Sequence, residues 1–141
     1  MSVIVTDSGF AKEDWTGPSV AWDDTAAEIG PQTALDVPAA AEPAALARRA
    51  VAAGLVRIAF DSFSDGRGFT LAAQLRRAGY RGRLRAAGHV IADQYAMARR
   101  AGFDEVEISP DLAARQPEAQ WLARADWRAR DYQARLRAPA A

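Results

Sequence analysis

Three features of the 141-residue chain predict an α/β fold built from consecutive βαβ units with a parallel sheet. Short runs of strand-forming residues alternate with amphipathic stretches of helical length from residue 43 onwards. The helical stretches stop at Gly54, Gly79 and Gly102, the residue type that best tolerates the left-handed turn closing a helix. The runs are spaced as right-handed crossovers require, and parallel strands need such crossovers. An open sheet and a half-barrel-like arrangement both satisfy this pattern.

In chain order, Val3-Ile4-Val5-Thr6 reads as a strand that turns at Asp7-Ser8-Gly9, with Phe10 to Trp15 returning as the second arm of a short hairpin. Thr16 to Pro43 is rich in Pro, Gly, Asp and Ala and is expected to be extended or irregular. Ala34-Leu35-Asp36-Val37 is its one strand-like island, and Trp15 and Trp22 are its expected anchors. Pro43 suits a first helical position, so a helix runs through Ala44 to Ala53. Leu55 to Phe60 is a strand, Asp61 to Gly68 a loop and Thr70 to Ala78 a helix. The pattern then repeats with a strand over Leu84 to Ala87, a Gly88-His89 loop, a helix over Ile91 to Ala101 and a strand over Glu105 to Ile108. After Pro110 a polar connection leads to a last helix, Pro117 to about Leu136, whose apolar stripe is Trp121, Leu122, Ala125, Ala129, Tyr132 and Leu136. Residues 1–43 form an acidic N-terminal segment expected to pack on an α/β domain of residues 44–141.

Composition excludes several chemistries. Half the residues are nominally hydrophobic, but 34 of them are alanine, which leaves a thin core of larger side chains. Without cysteine there is no disulfide, thiolate metal site or nucleophilic thiol, and the lone His89 rules out a zinc site with two or three histidines. No metal site is expected. No apolar run approaches the roughly 20 residues that span a bilayer, and Met1 to Phe10 lacks the pattern of a secretory leader, so the expectation is a cytoplasmic protein with no membrane partner. The net charge of zero conceals a balance of −7 over residues 1–43 and +7 over the remainder. The two segments are expected to attract each other, within one chain or across a homodimer. The arginines lack the interleaved aromatics of a nucleic-acid surface, which weighs against that partner.

Ligand sites in parallel α/β sheets lie at the carboxyl ends of the strands, here the loops after Phe60, Ala87 and Ile108. In Asp61-Ser62-Phe63-Ser64-Asp65-Gly66-Arg67-Gly68-Phe69-Thr70, Gly66 and Gly68 free the backbone, Arg67 offers a two-pronged donor, and a helix N-terminus follows. Gly66, Arg67 and Gly68 are therefore the candidate site for a small oxyanion such as phosphate, sulfate, sulfite or carboxylate. Alternatively, Asp65 caps a turn, the glycines take positive φ, and Arg67 pairs with Asp61 or Asp93. His89 is a candidate base, with Asp93 or Asp61 to orient it. Asp61, Asp65, Arg67, His89, Asp93 and Gln94 are expected to share one rim.

Several of these residues also carry a resemblance. Phe63-x-Asp65-Gly66-Arg67-Gly68-Phe69-Thr70, Leu75-Arg76, Gly79-Tyr80-Arg81-Gly82-x-Leu84-Arg85-Ala86-x-Gly88-x-Val90-x-x-Asp93-Gln94 and Arg99-Arg100-x-Gly102-Phe103-Asp104 resemble the bacterial family called domain of unknown function 934. The opening strand and the Asp14-Trp15 pair are similar to that family's start. The chain departs from it at Asp61-Ser62, where Pro-Lys is common, and at His89, where an acid is common. The resemblance implies a place in assimilatory sulfite reduction, under a label of oxidoreductase.

Two functions of different class follow. The first is a non-catalytic accessory of sulfite reduction that binds a small oxyanion or docks a sulfite reductase or another sulfur-assimilation enzyme. The second is a small oxidoreductase acting through the rim residues. No cofactor is evident, because neither a dinucleotide fingerprint nor a Walker motif is present.

Overall fold

The structure is a computed structural model and describes residues 2–128. Its α/β architecture is an open seven-stranded sheet with every described helix packed into one core. Strands β1 (Val3–Thr6) and β2 (Gly9–Lys12) form the expected antiparallel hairpin. Strand β3 (Ser19–Ala21) lies where irregular chain was expected, and β4 (Ala34–Val37) is the strand-like island. Helix α1 (Pro43–Ala50) leads to β5 (Leu55–Phe60), α2 (Arg67–Arg77) to β6 (Arg83–Gly88), and α3 (Tyr95–Ala101) to β7 (Glu105–Ile108).

The remaining differences concern helix ends. Helix α1 ends at Ala50 rather than Ala53, and Gly54 lacks the expected positive φ, its place being set instead by the close approach of the Pro31 carbonyl. Helix α2 begins at Arg67 rather than Thr70, and a 3₁₀ turn over Ala92–Gln94 precedes α3. The polar connection after Pro110 is a short helix, α4 (Pro110–Arg115), with Ser109 as its N-cap and the proline at its first position. The last helix, α5 (Glu118–Leu122), gives way to turns over 123–128. The rest of the expected long helix, with Ala129, Tyr132 and Leu136, lies outside the described residues. Among the described residues no helix is long and apolar enough to cross a membrane.

The strand order is β2-β1-β7-β6-β5-β4-β3, and β3 to β7 are all parallel. From β4 to β7 each crossover steps in the same direction. Right-handed crossovers that never reverse put all their helices on one face. The sheet is thus singly wound, like an opened half-barrel, and has no point at which the strand order reverses. The alternation along the strands records this. Leu35, Val37, Val56, Ile58, Phe60, Leu84, Ala86, Val106 and Ile108 join one buried cluster with Leu46 of α1, Leu71 and Leu75 of α2, Ala98 of α3, Leu112 of α4 and Trp121 of α5.

The intervening residues face the other way and are mostly charged. Asp36, Arg57, Arg85 and Glu105 lie side by side across β4 to β7. Arg85 is fully buried. Its Nε donates to Glu105 at 2.6 Å and its Nη1 to Glu107 at 2.7 Å, while Nη1 and Nη2 also reach Glu13. Arg83 donates to Glu105 at 2.9 Å and to Asp14 at 2.6 Å, and Arg57 donates to Asp36 at 2.6 and 3.0 Å. Glu13 and Asp14 follow β2, so the chain after the hairpin folds across the helix-free face and neutralises two arginines there. Trp15 continues this cover and lies against Gly54 at the amino end of β5. Asp7, in the hairpin turn, accepts from Arg99 of α3. Four acids of the first 43 residues, Asp7, Glu13, Asp14 and Asp36, therefore pair with arginines of the remainder within one chain.

Two outcomes are expected. Arg85→Ala leaves three carboxylates without their common cation and should cost about 3–5 kcal/mol of unfolding free energy, measured by denaturant titration. Burial pushes the Glu13 carboxyl up, but the hydrogen-bonded Arg85 guanidinium outweighs it and brings the pKa down from 4.5 to about 2. A depressed carboxylate stabilises the fold above its unfolded pKa and loses that contribution on protonation. Melting temperatures of wild type and Glu13→Gln should therefore converge as pH falls from about 4.5 towards 2.

Candidate functional site

The charged layer covers the helix-free face at its amino half and stops short of the carboxyl ends of the strands. There the outward residues become small, with Ala59 of β5 directly beside Ala87 of β6. A cavity of about 670 Å³ opens over them. Its floor is Ala59 and Ala87, its walls are Trp22 and Pro38 on one side and Glu107 on the other, and Arg57 and Asp36 close its inner end. The size suits a small ligand or an inserted group of side chains.

The groups around this cavity are held in place. Arg49 lies 4.6 Å over the Trp22 ring and donates to the backbone oxygens of Trp22 and Asp24. Arg57 is oriented by Asp36 and by the Ser19 hydroxyl at 2.6 Å. Glu107 accepts from Arg85 with one oxygen and from the Ser2 hydroxyl, 3.2 Å away, with the other. Arg57, Asp36 and Glu107 thus already have partners, Asp23 is exposed at the rim, and the lining carries more carboxylates than cations. Glu13, Glu105 and Glu107 converge on the Arg85 guanidinium. Among the described residues no group of three or more His, Asp or Glu is arranged to hold a metal ion.

The loops singled out in the sequence meet at the same end of the strands but engage one another differently. Gln94 Nε2 donates to the Phe63 carbonyl at 2.8 Å, and the His89 ring stands edge-on to Phe63 at 5.1 Å. Arg67 is mostly exposed and is held by Asp65, Nε at 3.0 Å and Nη2 at 2.8 Å, with its backbone N–H on the same carboxylate. The pairing is with Asp65 rather than with Asp61 or Asp93. Asp93 pairs instead with Arg124 at 2.7 Å. Arg67 lines a cleft beside Ala39–Ala41 and Thr70, whereas Asp93 lines another with Gln116 and Gln120. Asp61 is exposed in its loop.

Gly68 and Gly88 have local explanations, and Gly66 has none. Gly66 has an ordinary φ of −89°. A Cβ on Gly68 would lie 2.4 Å from the Phe60 ring, so this glycine lets α2 close onto β5. Gly88, at φ +118°, is where β6 turns away, and a Cβ there would meet the Phe60 carbonyl at 2.6 Å. Trp22 was expected only as an anchor, and Arg57, Ala59, Ala87 and Glu107 were not singled out by sequence reasoning. The available signal was the alternation in Arg57-Ile58-Ala59-Phe60 and Arg85-Ala86-Ala87, where a charge and then an alanine occupy one face.

Because Arg67 holds Asp65 at a pKa of about 2, Arg67→Ala should return that carboxyl towards its ordinary 3.8. A side-chain NMR titration of Asp65 in both proteins measures the change.

A family model described as bacterial protein of unknown function (DUF934) matches residues 34–141, from β4 to the end of the chain. No curated protein and no solved structure matches. The matched region contains Arg57, Ala59, Arg85, Ala87 and Glu107, and thus most of the helix-free face. With well over half its length matched, the chain belongs to the DUF934 family.

Proposed function

We propose that the protein is a non-catalytic accessory of assimilatory sulfite reduction and that it docks a sulfite reductase through the helix-free face of its sheet. The pathway comes from the sequence resemblance. The docking reading rests on one observation, a parallel sheet whose carboxyl half is left bare by the described residues on one face around Ala59 and Ala87. Parallel sheets are ordinarily covered on both faces, because their strands have no solvated side. Among the described residues a second layer is supplied only over the amino half, by Glu13, Asp14 and Trp15.

The arrangement of polar groups favours docking over an oxidoreductase acting through the rim. Asp65, Asp93 and Gln94 are engaged by Arg67, Arg124 and Phe63, and Arg57, Asp36 and Glu107 at the cavity are paired. Such fixed ion pairs make a preorganised surface, and its surplus of carboxylates suits a partner segment carrying basic side chains.

Binding of purified sulfite reductase to the full chain, followed by interferometry, tests the reading. Ala87→Arg puts a long charged side chain on the cavity floor without entering the helix-side core. It should weaken binding by tenfold or more while leaving the melting temperature near that of wild type. Absence of binding by the wild-type chain, or equal binding by Ala87→Arg, refutes the proposal.

A further inference from the structure

A second concavity lies at the opposite end of the strands and does not depend on the docking face. It has a volume of about 500 Å³ and opens between the turns that precede β6 and β7, with Arg76, Arg81, Arg99, Arg128, Asp104 and Trp127 on its walls. Four guanidinium groups around one groove repel one another unless each has a counter-charge.

Two of the four are accounted for. Arg76 donates to the carbonyls of Gly102, Tyr80 and Gly82 at 2.8 to 3.0 Å and pairs with Asp104 at 3.0 Å. It thereby ties the end of α2 to the turns before β6 and β7. Arg99 spans Asp7 with two nitrogens at 3.1 Å and donates to the Phe103 carbonyl. These arginines are also in the last turns of α2 and α3, where the helix dipole favours a cation.

Neither explanation reaches Arg81 or Arg128. Both stand outside the described helices, are exposed, and have no hydrogen-bonded or ion-paired carboxylate among the described residues. Arg128 is nevertheless positioned. Its guanidinium lies 4.9 Å from the centroid of the Trp127 ring, while Arg99 lies 4.7 Å from it. The Trp127 indole N–H donates to Asp7 at 3.3 Å, which orients the ring. Stacking on an indole leaves the edge N–H groups of a guanidinium available to an acceptor.

We infer that this groove binds a tetrahedral oxyanion, a phosphate or sulfate group, through Arg81 and Arg128. Arg76 and Arg99 are fixed walls that contribute field rather than hydrogen bonds. With Arg76 offset by Asp104 and Arg99 by Asp7, the groove retains the charge of the two remaining arginines, which matches a dianion. It differs from the Arg67 loop in that the guanidinium there is already held by its own Asp65.

NMR titration of the full chain with sodium phosphate, sodium sulfate and phenyl phosphate tests the site, with the Trp127 indole and Arg81 amide signals as probes. Saturable shifts of both signals are expected, at ionic strength held constant. Arg81→Ala and Arg128→Ala should each weaken binding about tenfold or more, the effect of losing a charged hydrogen bond. Arg48→Ala, which removes an exposed arginine on α1, should leave it unchanged. Tighter binding of phenyl phosphate than of the inorganic anions supports the site and assigns it to an organic ester. Equal binding supports it as a site for the free anion. No saturable shift at millimolar anion, or equal weakening by Arg48→Ala, overturns the inference in favour of diffuse attraction to a basic surface. Neither result bears on docking at Ala87.

Discussion

The buried guanidinium of Arg85 is the interaction on which the rest of the helix-free face depends. A cation taken out of water is tolerated only when its charge and donors are satisfied, and Arg85 meets that condition with carboxylates from three places, Glu13, Glu105 and Glu107. Two of these are on the neighbouring strand. The third lies 72 residues earlier and brings the segment after β2 across the sheet. The ion cluster thus fixes the path of the N-terminal chain as well as neutralising a charge. Burial pulls the Arg85 pKa down, but the carboxylates outweigh it and push the pKa up.

Arg76 plays a comparable part on the helix side. Its side chain is a clamp for three backbone carbonyls and one carboxylate, and the same carboxylate, Asp104, also accepts from the Leu84 backbone N–H at 2.9 Å. Gly102 is constrained by this clamp as well as by its positive φ, because a Cβ there would lie 2.6 Å from the Arg76 side chain. Arginines shared with the family resemblance, Arg76 and Arg85, are therefore structural hubs. Arg81 belongs to the same stretch of sequence but has no corresponding internal role among the described residues.

The central βαβ units were legible in the sequence because their signals are local. Leu55 to Phe60 and Glu105 to Ile108 alternate in period two, and the glycines at 79 and 102 take the positive φ that their place at helix ends suggests. Strand β3 was not legible, since Ser19-Val20-Ala21 has one large apolar residue and exists through its pairing with β4. Helix α4 carried a readable cue, Ser109 before Pro110, which a polar composition obscured. The candidate site was half legible. The rule that ligands gather at the carboxyl ends of strands pointed to the end where the cavity over Ala59 and Ala87 opens, and it drew attention to the glycine and arginine of the 61–70 loop. It could not tell which face of the sheet was bare, because that depends on crossovers that never reverse direction. Nor could it tell that Arg67 has Asp65 as its partner, since Asp61 and Asp65 in the loop and Asp93 beyond the next strand were all available by sequence, and only the folded geometry selects one.

The division of the bare face into a sealed half and an open half follows from side-chain size. At the amino half, Arg57, Arg83 and Arg85 project far enough to meet carboxylates from above or beside them, so a charged second layer assembles from the chain itself. At the carboxyl half, Ala59 and Ala87 project one carbon each, and no side chain of this sheet could fill the space above them. The hollow of about 670 Å³ is the direct consequence. A surface meant for water would carry polar side chains at those two positions, and a surface meant for an internal layer would carry large apolar ones. Alanines flanked by an immobilised Trp22 and an ion-paired Glu107 do neither. They leave an open hollow between walls fixed by the Arg49 stack on Trp22 and the Arg85 ion pair of Glu107, a shape that would suit the docking proposed above.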